Sequence, residues 1–394
     1  MATSSGRVYL DHAATTSMLP AAREAWLQTS ALTGNASSLH ASGRRVRRAV
    51  EEARESIGAD LGARPSAVVF TSGGTEADNL AVKGLYWSRR PGADTVAVSS
   101  VEHHAVLDPV EWLGAHEHAR IAWLDVDALG RVPVQAVAQA LASGDVALCA
   151  VMWANNEVGA IQPVQEIASL CRDAGVPFHV DAVQALGQVR IDAGELGATS
   201  IALSSHKVGG PAGVGALILD PAVAPTPVLH GGGQEREVRS GTLDAAGIAG
   251  FAVAVHHAVA AQQERASRLA ALRDDLIAAV RQAVPTAVLN GPQDSGRLPA
   301  NAHFSFPGCE GDLLLMLLDA AGIDCSTGSA CTAGIPEPSH VLLAMGVDPS
   351  LTRSSLRFSL GEGSTPADVQ ALAAALPGAV ERASRAGSLS SRAT

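Results

Sequence analysis

The fold turns on one stretch, Ser200-Ile201-Ala202-Leu203-Ser204-Ser205-His206-Lys207-Val208-Gly209-Gly210-Pro211-Ala212-Gly213. Its first five residues read as a short β-strand, which gives way to a lysine and then to a glycine-rich run that neither helix nor strand favours. The same texture continues outward on both sides. Phe178–Asp181 upstream and Gly215–Leu219 downstream read as strands, as do Ala67–Thr71, Thr95–Ser99, Ile121–Leu124 and Val146–Met152. Several are almost continuously apolar, as expected of strands covered on both faces of a parallel sheet. Helical periodicity lies between them: Val164, Ile167, Ala168 and Leu170–Cys171 share a face, and Val46, Val50, Ala53, Ile57 and Leu61 recur at spacings of three and four. Strand–helix alternation of this kind predicts an α/β fold with a mostly parallel sheet.

Beyond about residue 250 the texture changes. A long Ala-rich helical stretch, Ile248–Val284, leads to strand-like Asn301–Phe306 and Leu356–Leu360, flanked by helical patterns at Gly311–Ala321 and Pro366–Ala383. The expected division is a large domain of residues 15–260 and a smaller α+β domain made of residues 1–14 and 261–394. The last residues, GSLSSRAT, are small and polar and are expected to fray. With 394 residues, 47% hydrophobic and 17% charged, the chain has the composition of a soluble globular protein. A net charge of −11 argues against non-specific nucleic-acid binding. The basic run Arg44-Arg45-Val46-Arg47-Arg48 is followed by Glu51, Glu52 and Glu55, which reads as the charged face of a helix. No apolar signal core opens the chain, and no run of about 18 apolar residues predicts a membrane span. Five widely spaced cysteines do not make a disulfide framework, so a cytoplasmic enzyme with reduced thiols is expected.

Three strand ends carry residues suited to one chemistry. In Thr71-Ser72-Gly73-Gly74-Thr75-Glu76 a strand turns through glycines into a helix, and backbone N–H groups at such a start, with the Thr75 hydroxyl, suit a phosphate. Any tight strand–helix turn shares that pattern. In His179-Val180-Asp181-Ala182-Val183-Gln184 the aspartate ends a strand, where open α/β sheets bind ligands. It could cap a helix, or it could pair with the protonated pyridine nitrogen of pyridoxal 5'-phosphate, with Gln184 reaching the ring hydroxyl. Lys207 is one of only two lysines, the other being Lys83. Among small residues after a strand it suits a Schiff-base role, with Ser204 and His206 as phosphate donors. Taken together in this order, the three points favour a pyridoxal-phosphate site over a surface lysine and a capping aspartate.

At these residues the chain resembles the cysteine desulfurases of the IscS/NifS type, class-V aminotransferase-like enzymes of fold-type I. The resemblance runs from Tyr9-Leu10-Asp11-His12-Ala13-Ala14-Thr15-Thr16 to Arg357-Phe358-Ser359-Leu360-Gly361. It includes Gly34-Asn35-Ala36-Ser37-Ser38-Leu39-His40, Glu102-His103-His104-Ala105-Val106-Leu107, Asn155-Asn156-Glu157-Val158-Gly159 and Arg239-Ser240-Gly241-Thr242. The resemblance implies that His103 stacks on the pyridine ring, that Asn156 lies near the ring hydroxyl and substrate, and that Asn35 contributes to the substrate site. It implies that Thr242 reaches the phosphate of a partner subunit, hence a homodimer. His103-His104 lacks further ligands at metal spacing, so no metal is expected.

What separates a desulfurase from an aminotransferase of this fold is a nucleophilic thiol. Cys325-Ser326-Thr327-Gly328-Ser329-Ala330-Cys331-Thr332-Ala333-Gly334 is a run of small residues that cannot pack as core, so an exposed loop is expected. Cys331 matches the family's catalytic cysteine. Cys325, nearer the apolar Gly322-Ile323 edge, is the weaker candidate, and a Cys325–Cys331 disulfide is a further possibility. Downstream, Arg357 matches the family's substrate-binding arginine, whose planar fork grips a carboxylate. The implied reaction converts L-cysteine to L-alanine: Lys207 takes the α-proton, His103 shares in proton transfer, and Cys331 keeps the sulfur as a persulfide. Delivery to an iron–sulfur scaffold or another sulfur acceptor is the implied role. The alternatives are a selenocysteine lyase or aminotransferase of the same fold, or a persulfide-carrying scaffold. Ala36, Ala212 and Leu243 depart from the family pattern at positions usually proline, basic and proline.

Overall fold

The computed structural model describes residues 6–328 and 338–390. In chain order its strands are β1 (Val8–Tyr9), β2 (Val68–Thr71), β3 (Thr95–Ser99), β4 (Arg120–Leu124), β5 (Val146–Ala150), β6 (Phe178–Asp181), β7 (Ser200–Ser204), β8 (Gly215–Leu219), β9 (Val288–Asn290), β10 (Asn301–Ser305), β11 (Ile323–Asp324) and β12 (Ser355–Ser359). The main sheet has seven strands in the order β2-β8-β7-β6-β5-β3-β4. β7, β6, β5, β3 and β4 run parallel, while β8 is reversed against both β7 and β2. Every residue of β3, β5, β6, β7 and β8 is buried, because helices cover both faces; this is why their sequences show no alternation. β2 therefore runs the same way as β7, and the carboxyl ends of β2, β6 and β7 lie along one edge. That edge brings Thr71, Asp181 and Ser204 to the same side of the sheet.

The second region holds the antiparallel sheet β12-β10-β9 and the parallel pair β1-β11. A separate apolar core, including Leu10, Leu276, Phe304, Leu314, Phe358 and Leu372, packs around these strands. β1, β9 and β11 were not legible in the sequence, because two or three residues are too few to show a period.

The Ile248–Val284 stretch is two helices rather than one, Ala245–Ala260 and Gln262–Ala283, meeting at 71°. The bend is held by side chains: Arg265 donates to the carbonyls of Gly187 and Ala258, and Gln262 donates to that of Gln188. The C-terminal helix runs on from Pro366 to Ser390, past the expected end at Ala383. No single helix among the described residues is long and apolar enough to cross a membrane.

Candidate active site

The helix Gly74–Trp87 starts directly after β2. Its N-cap, Gly73, has φ +154°, and the Thr71 hydroxyl donates to the Gly73 carbonyl at 2.9 Å. Glu76 folds back to accept from the Ser72 N–H at 2.7 Å and is paired with Arg239. A Cβ added to Gly74 would lie 2.8 Å from Val183 Cγ2 and 3.6 Å from Ser204 Cβ, so the three strand ends meet closely here. A Cβ added to Gly73 would meet nothing within 4 Å. The helix start is therefore crowded beneath and open above, the arrangement in which free N–H groups receive an anion. Ser204 is buried and Thr75 exposed at this rim.

Asp181 is buried, and its Oδ1 accepts from the Val183 N–H at 2.8 Å. Burial raises its carboxyl above the usual range, while His103 and Lys207 pull it back down. Two residues earlier on the same strand face, His179 lies between Ser200 Oγ at 2.9 Å and Asp78 Oδ1 at 3.1 Å, all wholly buried. Gln184 donates to the carbonyl of Ala13 at 2.9 Å, a carbonyl that also accepts from Lys207 Nζ. His103 caps the helix His104–Glu117, its Nδ1 accepting from the Ala105 N–H at 3.0 Å. Although the residue is exposed at the surface, partial burial of the ring lowers its pKa, with Lys207 adding to this and Asp181 opposing.

Lys207 lies in a single turn after β7, and its Nζ donates to the carbonyls of Ala13 and Ala14 at 2.6 and 2.7 Å. Burial lowers its ammonium to about 8; repulsion from Arg357 adds to this, and Asp181 and Asp11 oppose it. His206 contacts Thr15 Oγ1 at 3.1 Å through Nδ1 and is lowered to about 4 by burial and by Lys207. A cavity of about 570 Å³ runs beside Lys207 and Gln184, with Thr15, Leu19 and Arg265 also in its wall. Asp181, His103 and Thr75 do not line it, so it is not the space above the three strand ends.

Arg357, on β12, is buried; its Nη2 meets Asp11 Oδ1 at 2.8 Å and its Nη1 donates to the Asn156 carbonyl at 3.0 Å. Asn301 also donates to that carbonyl, so the Asn155–Gly159 turn rests on the second sheet. Asn35 and Thr242 are exposed. The Asn35 side chain accepts from the Ser37 N–H at 2.8 Å within its own turn. No hydrogen bond among the described residues brings either to Lys207 or Arg357. Cys331 lies outside the described residues. Burial pushes the Cys325 thiol up to about 12, which leaves it an inert thiol at neutral pH. Among the described residues no group of three or more His, Cys, Asp or Glu side chains is placed to hold a metal ion.

Sequence reasoning missed Asp11 and the carbonyls of Ala13 and Ala14. Asp11 stood in a quoted motif without a role, since nothing local marks a partner that lies 346 residues away. The carbonyls carry no side-chain signal at all. The residues present fit pyridoxal phosphate: an open helix start for an anion, a buried carboxylate for a ring nitrogen, an accessible imidazole face, and a lysine whose amine is lowered toward neutrality.

A sheet of this topology, with a lysine, an aspartate and a helix start at three neighbouring strand ends, defines a class of cofactor-dependent enzymes. The chain belongs to the aminotransferase class-V family, which residues 8–372 match, and within it to the cysteine desulfurases of the IscS/NifS type. It is 56% identical over 382 residues to the "IscS-like cysteine desulfurase" of Mycobacterium tuberculosis (strain ATCC 25618 / H37Rv), covering 96% of this chain and 97% of that one. A solved structure described as "NIFS-LIKE PROTEIN" superposes with a TM-score of 0.89 at 32% identity, over 95% of this chain and 100% of that chain. Another, "SspA in complex with cysteine", gives a TM-score of 0.77 at 31% identity, over 89% of this chain and 98% of that chain.

Proposed function

We propose that the chain is a cysteine desulfurase that holds pyridoxal 5'-phosphate through Lys207 and converts L-cysteine to L-alanine, leaving a persulfide on Cys331. The observation that carries this is the place of Lys207 in the turn after β7, its half-buried amine donating to the carbonyls of Ala13 and Ala14 with Asp181 and Arg357 near enough to act on its charge. When bound, the cofactor supplies an electron sink for the charge left as the α-proton departs. Asp181 holds a proton on the ring nitrogen. The start of the Gly74–Trp87 helix, with Thr75, Ser204 and His206, receives the phosphate. His103 would stack on the ring, and Gln184 and Asn156 would hold the ring hydroxyl. Arg357 binds the substrate carboxylate, with Asn156 and Asn35 beside it, which fixes the α-proton toward Lys207. Lys207, neutral above about pH 8, takes that proton. Cys331 as thiolate attacks the substrate sulfur. The S–S bond forms as the C–S bond breaks, and the electron pair left on carbon takes a proton to give alanine.

Support for a homodimer comes from Thr242, which is exposed and which the family places at the partner's phosphate. The division into residues 15–260 and residues 1–14 with 261–394 is supported by the core around the second sheet, which joins Leu10 to residues from Leu269 onward, while a smaller cluster links Val341 and Leu342 across the division to Val101 and Met152. The persulfide sulfur passes to an iron–sulfur scaffold or another acceptor in the cytoplasm. The test is to mix the holoenzyme with L-cysteine and measure alanine and persulfide. Lys207→Ala is expected to stop both, and Cys331→Ser to stop persulfide formation. Rapid amino transfer to a 2-oxo acid without sulfide would overturn the assignment.

A further inference from the structure

The two flanks of the Cys331 segment lie beside one buried oxygen, and one of them is bonded to it. Ser339 Oγ donates to Glu157 Oε2 at 2.6 Å. A Cβ added to Gly328 would lie 3.5 Å from that same oxygen and 3.2 Å from His303 Nε2. Gly328 has φ +87°, so the backbone there and the space beside it both call for glycine. Glu157 and His303 are buried, at 2% and 0% exposure. His303 Nδ1 accepts from the Asn290 amide at 3.0 Å, which leaves Nε2 to carry the ring proton toward the Thr327–Gly328 backbone. A buried carboxylate and a buried ring nitrogen thus converge where the chain enters and leaves residues 329–337.

The same contact ties these flanks to the wall of the active site. Glu157 follows Asn156, whose carbonyl accepts from Arg357. Ser326, two residues before Gly328, exchanges backbone hydrogen bonds with Arg357 at 3.2 and 2.6 Å. On the other flank, Ser339 caps the helix His340–Ala344 by accepting from the Leu342 N–H. His340 Nε2 donates to the carbonyl of Glu102, the residue before His103. Val341 and Leu342 pack against Val101, Met152 and Val158. Cys331 is three residues from Gly328, so it can reach at most about 10 Å from that point. Holding both ends of a short segment also removes conformations that would place the thiol elsewhere.

We propose that Glu157 is a positioning residue, whose Oε2 holds Ser339 on the downstream flank of the Cys331 segment close beside the Gly328 flank that Arg357 fastens, and so fixes the base from which the thiol meets the substrate sulfur. This rests on the reading of Cys331 as sulfur acceptor. Glu157→Ala removes the contact while leaving Ser339 free to cap Leu342, whereas Glu157→Gln keeps an acceptor for the Ser339 hydroxyl.

The experiment mixes holoenzyme with L-cysteine in single turnovers. It reads two signals: the cysteine-induced change in the cofactor's visible spectrum, which reports substrate binding, and persulfide appearing on Cys331. In Glu157→Ala the persulfide is expected to form about ten- to a hundredfold more slowly, as a displaced reacting group would. The cysteine concentration that half-saturates the spectral change should not move. Glu157→Gln should restore most of the rate. Normal persulfide formation in Glu157→Ala, or equal slowing in Glu157→Gln, would overturn the inference. If Glu157→Ala does not load cofactor, Ser339→Gly breaks the contact from the other side, glycine being tolerated at an N-cap; a wild-type rate there would overturn it too. Absence of persulfide on Cys331 in the unsubstituted enzyme would instead overturn the assignment of the thiol itself.

Discussion

Arg357 Nη2 lies 2.8 Å from Asp11 Oδ1, so the guanidinium on β12 is aimed by a residue just after β1. Its Nη1 is fixed in turn by the Asn156 carbonyl. An arginine held from two directions meets a carboxylate with little ordering left to lose. Arg357→Ala should lower kcat/KM for L-cysteine about ten- to a hundredfold, the loss expected for charged hydrogen bonds. Asp11→Asn keeps an acceptor for Nη2 and removes the competing charge, so it should change KM more than kcat. Steady-state alanine release measures both. Equal kcat/KM in Arg357→Ala and the unsubstituted enzyme would exclude the clamp.

Lys207 gives a pH signature. Its ammonium is lowered from near 10.5 to about 8, chiefly by burial, so the neutral amine dominates above pH 8. Capture of pyridoxal phosphate by the apoprotein, followed by the growth of its visible band, should reach half its maximal rate near pH 8 rather than above 10. Stability carries the same sign. Between about pH 8 and 10.5 the unfolded chain binds the lysine proton and the folded chain does not, so the apoprotein should gain stability as pH rises through that window. Lys207→Met should lack that gain. A melting profile parallel to the unsubstituted apoprotein across the window would refute the shift.

The main sheet was legible because its strands other than β4 are buried throughout. Thr95–Ser99, Phe178–Asp181, Ser200–Ser204 and Gly215–Leu219 match the structure to the residue. The placement of Lys207, Asp181 and Gly74 was legible because each ends or follows a strand, and parallel strands put their ends on one edge. The bend at Ala261 was not, since Ala-rich sequence continues across it and the cause is Arg265 reaching the carbonyls of Gly187 and Ala258. Nor was the role of Glu157, whose partner Ser339 is 182 residues away. Local pattern encodes strand ends; it does not encode which distant side chain will meet them.

The cysteines should separate by reactivity. Burial holds the Cys325 thiol up to about 12 and raises that of Cys309, and Cys149 is also pushed up beside Cys171 in the core. Thiolate is the reactive form, so brief alkylation at neutral pH should leave these three unmodified and label Cys331. Peptide mapping reads this directly. Cys325→Ser should keep desulfurase turnover, and Cys331→Ser should lose it. Early labelling of Cys325 would show that its environment is more open than the 2.6 Å and 3.2 Å pairing of Ser326 with Arg357 implies.

A last prediction concerns the segment that carries Thr242. Glu235, 1% exposed, accepts from both Nη atoms of Arg54 at 2.9 and 2.7 Å and from the Phe70 N–H at 2.8 Å. Arg54 also donates to the Val68 carbonyl, and its guanidinium stacks on the Phe70 ring. Glu235 therefore pins the loop before Thr242 to β2, whose far end leads into the helix start proposed to receive the phosphate. Glu235→Gln removes the buried one of the guanidinium's two charge partners, leaving the more exposed Glu51, and should cost about 3 kcal/mol of stability. The exposed Arg190–Glu195 pair is the control: Glu195→Gln should change little, because surface pairs are screened by solvent. Chemical denaturation of both variants makes the comparison. Since Thr242 is proposed to serve the partner's phosphate, Glu235→Gln should also weaken cofactor retention, measured by dialysis against cofactor-free buffer. Retention unchanged alongside the full stability loss would separate the ion pair from the phosphate site.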